Sequence, residues 1–273
     1  MVHTDRVSTS TDEHPTAPAD DPAADARPWY VRHAVVIAAG LAGVLLALVA
    51  VGLVLLSRPA PAAQTAGSSS TAPARATGIP DSVSTSIAYL MGLSPVPSTP
   101  APSFTLVDQS GRTVSLESLR GHPVVLEFMD PNCVDICPIV SQEFVDAYRE
   151  LGASARDVVF VGVNVNPFHT DVASVATYSR AHGLGAVSTW HFLTGPTAAL
   201  QPVWKDYDVT VSAPNPDADV VHTSVIYFID PSGHERYVAF PMVDHKADGS
   251  SYLPADQTTA WGHGIALVAQ SLR

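Results

Sequence analysis

An α/β domain with a mixed sheet is predicted for residues 101–273, on three patterns in the chain. Strand-like and helix-like hydrophobic periodicities alternate from Ser103 onward. Turn sequences at Asp108-Gln109-Ser110-Gly111 and Asp230-Pro231-Ser232-Gly233 each sit between two strand-like runs, the mark of antiparallel hairpins. A single long apolar run, residues 34–56, stands apart from both and is placed outside the domain. Strands that alternate with helices and then finish in a hairpin and a helix require parallel and antiparallel pairing in one sheet.

Residues 1–32 are rich in Asp, Thr, Ala and Pro and hold few large apolar side chains, so they form a disordered tail. The uncharged run that follows is about 23 residues, enough to cross roughly 30 Å of hydrocarbon as a helix, and a single transmembrane helix is assigned to 33–57. A cleaved signal peptide is the competing reading, since Ala60-Pro61-Ala62 resembles a small-residue cleavage site. The run is longer than a signal core, however, and its preceding segment is long and largely acidic. Arg27 and Arg32 before the span, against Arg58 just after it, place the N-terminus in the cytoplasm and the C-terminal domain outside the cell membrane. Residues 58–100, rich in Pro, Ala, Ser and Thr, read as a tether, with Ile87-Ala88-Tyr89-Leu90-Met91 as a local apolar cluster within it. A formal charge of -12 and the lack of any basic run exclude a nucleic-acid surface.

Within the domain, 104–107 and 113–116 form the first hairpin, 124–129 a buried strand, 138–151 a helix, 158–163 a second central strand and 171–182 a second helix. A short strand at 190–193 and a helix at 197–207 come next. The run 224–229 and the run 235–240 make the late hairpin, and 255–272 closes the chain as a helix.

The chain has two cysteines, Cys133 and Cys137, in Asp130-Pro131-Asn132-Cys133-Val134-Asp135-Ile136-Cys137-Pro138 at the exit of the first buried strand. That position offers both sulfurs free backbone N–H groups and the positive end of a helix, which lowers thiol acidity constants from about 8.5 toward roughly 3.5–7.5. Spacing of four residues puts the side chains on one face about 5–6 Å apart, within reach of one metal ion. A disulfide requires Cβ atoms about 3.5–4.5 Å apart and a slight rearrangement of that turn. A static disulfide or two buried core thiols is the bland alternative, but so short a loop gains little entropy from closure. Two thiolates are an incomplete metal site. Of eleven histidines, His222 stands out because it leads into the strongest late strand. If that strand runs antiparallel to the first, His222 lies near the cysteines, although on pattern alone a lone histidine there is an ordinary loop or core residue.

The motif Cys133-Val134-Asp135-Ile136-Cys137-Pro138 after a strand, Asn164-Val165-Asn166-Pro167 at the end of the next, and His222 ahead of Asp230-Pro231-Ser232-Gly233 together resemble the Sco (SenC-type) copper chaperones from about residue 102 to 240. The resemblance implies a thioredoxin-like fold, a mixed central sheet flanked by helices, on the N-terminal transmembrane helix. It implies that Cys133, Cys137 and His222 bind one copper ion, Cu(I) or Cu(II), for delivery to the dinuclear copper site of a haem-copper (cytochrome c) oxidase. The partners implied are the copper-accepting oxidase subunit, a thiol-disulfide reductant and, through the anchor, the bilayer. Thiolates select Cu(I) and an added imidazole makes Cu(II) tolerable, which agrees with that ligand set. Disulfide formation would remove two ligands and gate loading by redox state.

The chain departs from the family where Val134 replaces a common proline and where Glu127-Phe128-Met129-Asp130-Pro131-Asn132 lacks the usual wording. Met129, Met242, His169, His234, His245 and His263 are read as core filler or loop residues rather than auxiliary copper contacts, and Asp130 as a solvated loop carboxylate. The main rival function is a membrane-anchored thiol-disulfide oxidoreductase using Cys133 as nucleophile and Cys137 as resolving thiol. That class has Cys-x-x-Cys and a proline before the facing strand, where this chain has wider spacing and His222. A peroxiredoxin expects Thr or Ser where Asp130 stands.

Overall fold

The computed structural model describes residues 77–273. The elements are α1 (Thr85–Leu90), β1 (Ser94–Pro95), β2 (Thr105–Val107), β3 (Thr113–Ser115), β4 (Val124–Met129), α2 (Ile136–Leu151), β5 (Val159–Asn164), α3 (Val172–Ala181), β6 (Trp190–Leu193), α4 (Thr197–Asp206), β7 (Val211–Ser212), β8 (Val221–His222), β9 (Ile226–Ile229), β10 (Glu235–Ala239), β11 (Asp244–His245), β12 (Ser251–Tyr252) and α5 (Ala255–Ser271). Six strands form one sheet in the order β1-β10-β9-β4-β5-β6. β4, β5 and β6 are parallel, and β9 runs antiparallel to β4 with Glu127 opposite Ile226 and Val124 opposite Ile229. The mixed sheet expected from the sequence is present, with the two parallel crossovers made by α2 and α3.

β4 and β5 are buried at every position, as central strands covered on both faces must be. One face of the sheet presents Val125, Met129, Phe160, Phe192 and Phe228 to α2 and α5. The other presents Leu126, Phe128, Val161 and Val163 to α4 and the β2–β3 hairpin. Gly162 is required where side chains of the neighbouring strands crowd one face of the sheet: a Cβ there would lie 2.7 Å from Trp190 Cη2 of β6. α2 carries Pro138 in its first turn, where its missing N–H is no loss, and ends at Gly152 with φ 55°.

The folded domain begins earlier than residue 101. Residues 79–95, which the sequence reading left to the tether, lie on the domain: Val83 and Met91 are fully buried and β1 pairs with β10. α1 is capped by the Ser84 hydroxyl, and its Met91 and Ile87 pack so closely on α5 that Gly264 has no room for a Cβ. Proline-rich composition concealed this, because the few apolar residues in the segment find their partners only in α5 and β10. The predicted tail 1–32, span 33–57 and first part of the tether lie outside the described residues. Among the described residues no helix is long and apolar enough to cross a membrane. Replacing Met91 by Ala should cost about 2–5 kcal/mol, read as a lower denaturant midpoint; an unchanged midpoint would mean that the segment is not part of the cooperative unit.

Candidate metal centre

Cys133 lies in the loop between β4 and α2, and Cys137 is the second residue of α2. Both are free thiols. The Cys137 N–H donates to Cys133 Sγ at 3.4 Å, so the i to i+4 spacing does bring the pair together. Their environments differ sharply. Cys133 is half-buried, and its thiol is pulled down to about 7, chiefly by the hydrogen bond from the Cys137 thiol, with the backbone N–H groups of Cys137 and Asp135 adding to it. Cys137 is 3% exposed, and donating that bond, together with burial, pushes its own thiol well up. The helix start was expected to lower both thiols. The backbone N–H groups at the helix start favour only the Cys133 thiolate, because Cys137 gives its own hydrogen to Cys133 and is buried.

His222 sits in the two-residue ribbon of β7 and β8, opposite Val211, four residues before β9. The antiparallel β4–β9 pairing therefore carries it to the C-terminal end of β4, as the sequence argument required. Its Nδ1 is 2.9 Å from the Thr223 carbonyl oxygen. A carbonyl can only accept, so Nδ1 carries the hydrogen and Nε2 keeps its lone pair. Burial pushes the imidazole below its ordinary value, which leaves a neutral nitrogen donor. Cys133, His222, Asp130, Asp135, Asn166 and Ser224 line one cavity of about 550 Å³. A second cavity of about 440 Å³, lined by Tyr178 and His182 of the α3 side, also reaches Cys133. Cys137 lines neither. Among the described residues no three His, Cys, Asp or Glu side chains converge closely enough to hold a metal ion as they stand.

Asp130 is not the solvated carboxylate that the sequence suggested: it is 5% exposed. Its Oδ1 accepts the Asn132 N–H and the Asn166 side-chain amide, each at 2.9 Å, while its carbonyl accepts the Cys133 N–H at 3.1 Å. Asn166 is itself fixed, since its Oδ1 accepts the N–H groups of Phe168 and His169, which leaves its NH₂ facing Asp130. Asn164 extends the network by accepting the Asn166 N–H and donating to Thr194 and the His169 carbonyl. The Asn164-Val165-Asn166-Pro167 motif thus ties the ends of β5 and β6 to the cysteine loop. The asparagines were visible in the sequence, but their target was not.

The auxiliary candidates fall elsewhere. Met129 is core, His234 bonds with Ser232 in the β9–β10 turn, and His263 faces Glu150. Met129, Met242, His169, His234, His245 and His263 all lie off the cavity that Cys133 and His222 share. Beneath the site lie two buried carboxyls that sequence reasoning did not single out. Glu127 accepts from Ser224 Oγ at 3.3 Å, and both Glu127 and Glu143 are driven well above the ordinary range by burial. Each has an Oε2 with no hydrogen-bond partner.

A family model described as SCO1/SenC matches residues 95–247. The chain belongs to the SCO1/SenC family. The SCO1 protein homolog of Bacillus subtilis is 30% identical over 132 residues, covering 48% of this chain and 68% of that protein. The mitochondrial SCO2 homolog of Mus musculus is 31% identical over 137 residues, covering 48% of this chain and 52% of that protein. Among solved structures, Bradyrhizobium japonicum ScoI with copper bound aligns with a TM-score of 0.50 and 23% identity, over 64% of this chain and all (100%) of that one. That similarity shows the fold, the thioredoxin-like fold of the Sco proteins. The family match covers Cys133, Cys137, His222 and Asp130 alike.

Two outcomes follow from these environments. Alkylation of the reduced protein should modify Cys133 first, rising as pH passes through about 7 as the thiolate forms, with Cys137 protected until the protein unfolds; peptide mapping that finds Cys137 modified first would contradict it. Carboxyls raised in the folded state hold protons that the unfolded chain releases, so their contribution to stability is full below the unfolded value and lost as pH rises toward the folded one. Glu127→Gln should therefore flatten the fall in melting temperature above pH about 5, and a slope identical to that of the parent protein would refute the assignment.

Proposed function

We propose that this protein is a membrane-anchored copper chaperone that holds one copper ion through Cys133, Cys137 and His222 and passes it to the dinuclear copper site of a cytochrome c oxidase. The observation that carries the reading is that Cys133 and His222 line one cavity, with the His222 Nδ1 bound to the Thr223 carbonyl and Cys137 hydrogen-bonded to Cys133. The copper-bound state of the related ScoI supports the choice of metal. Residues 33–57 supply the anchor, and the domain works outside the membrane.

Copper is cargo here, and the chain's own groups decide when it is held. Cys133 is the readier ligand because its thiol, pulled down to about 7, gives up its proton more easily than the buried thiol of Cys137. Cys137 must lose a proton to bind, so affinity rises with pH. His222 needs no deprotonation, since burial keeps it neutral. Soft sulfur favours Cu(I), and the imidazole admits Cu(II).

A second reading, thiol-disulfide exchange, is favoured by the unequal cysteines: one accessible and acidic, one buried. That is the arrangement of an attacking and a resolving thiol, and a reductant that keeps the pair open serves either role. Titration of the reduced full-length protein decides between them. The chaperone reading predicts one equivalent of Cu(I) or Cu(II), a sulfur-to-Cu(II) charge-transfer band that His222→Ala abolishes, and no Cu(I) retention in Cys133→Ser. Failure to bind copper, with reduction of a protein disulfide that does not depend on His222, would leave the exchange reading standing.

A further inference from the structure

Asp130 is a buried charge that its hydrogen bonds do not explain. The loop needs an acceptor for the Asn132 N–H and the Asn166 amide, and an asparagine would supply the same Oδ1 without the cost of burying a carboxylate. Its other oxygen takes no hydrogen bond from a described residue. The side chain lies on the wall of the cavity that Cys133 and His222 share. The Asn166 clamp, itself anchored to Phe168, His169 and Asn164, keeps that charge in place whether or not the loop moves.

Resting on the copper reading above, we propose that Asp130 sets the oxidation-state preference of the site, its pinned carboxylate favouring Cu(II) over Cu(I). Coulomb attraction scales with the product of the charges, so a fixed carboxylate stabilises a dipositive ion twice as strongly as a monopositive one at the same place. The surroundings magnify the difference, because a 5% exposed group is poorly screened by water. A Cys₂His set is weighted toward Cu(I) by its thiolates. The added charge counters that weighting and lets one site hold both forms.

The test uses the full-length reduced protein with Cu(I) and Cu(II) affinities measured separately by chelator competition, beside the Cu(II) absorption and electron-paramagnetic-resonance spectra. In Asp130→Asn, which keeps Oδ1 and removes the charge, Cu(II) affinity should fall about 10–100-fold and Cu(I) affinity only by the square root of that, about 3–10-fold. Asp130→Ser, a second neutral variant, should shift the ratio in the same direction, and either one that melts cooperatively is sufficient to decide. Asp130→Glu should restore the ratio toward that of the parent. Equal weakening of both oxidation states would assign Asp130 a purely structural role and overturn the proposal, as would an unchanged ratio. In both cases the parent protein still binds copper through its cysteines and histidine. A parent protein that binds neither form would overturn this inference together with the copper reading.

Discussion

The pairing of β4 with β9 is the constraint on which the site depends, because it joins a cysteine loop to a histidine far along the chain. Glu127 opposite Ile226 fixes the register. β4 is buried on both faces and packed between two cores, so a one-residue slip would exchange the sets Val125, Met129 and Leu126, Phe128 between layers built for different shapes. Once that register is set, residues preceding β9 must emerge beside residues following β4. The parallel β4–β5 pair then brings Asn164 and Asn166 to the same end of the sheet. Three separate loops meet there, each held by a strand with little freedom to shift.

Burial then differentiates the groups that the topology has gathered. Cys137, in the first turn of α2, is packed against the sheet, while Cys133 remains between two cavities. One proton is consequently held and the other released near neutral pH, and the hydrogen bond between the thiols enforces the difference. Where the Glu127 carboxyl ionises on the same face of the sheet, its negative charge makes ionisation of the Cys137 thiol harder still. The same low dielectric that neutralises His222 also makes the charge of Asp130 count.

Much of this was legible in the sequence. Short apolar runs located β4, β5, β6 and β9, the turn sequence Asp230-Pro231-Ser232-Gly233 located the β9–β10 hairpin, and the apolar stripe Val140, Phe144, Ala147 and Leu151 located α2. The cysteine pair announced itself by isolation and by its place after a strand, whereas His222 gained weight only from its order in a family-like pattern. What escaped was decided by tertiary neighbours. Asp130 looks like any loop aspartate until Asn166 is placed over it, and Met91 looks like a stray apolar residue in a tether until α5 covers it. Glu127 sits in a run that predicts a buried strand, and nothing local indicates that its carboxyl goes inside with it.

The two halves of the donor set differ in how much they can move, and this says where closure around an ion has to come from. His222 is fixed by its bond to Thr223, by the β7–β8 ribbon and by the strand that follows it. Cys133 lies in a loop, and α2 begins without a side-chain cap: the Asp135 carboxylate, at the N-cap position, instead accepts the Ser251 hydroxyl from β12. A missing cap bond leaves a first turn weaker by about 1 kcal/mol. That turn carries Cys137, while the remainder of α2 is packed against α5 at Gly262, where a Cβ would lie 2.8 Å from Asp146 Cβ and 3.2 Å from the Glu143 carbonyl oxygen and the Ala147 nitrogen. If the two sulfurs and the imidazole take up one copper ion as proposed, they would converge by rearrangement of residues 133–137 toward His222, with Asp130 and Asn166 as the fixed base of that loop.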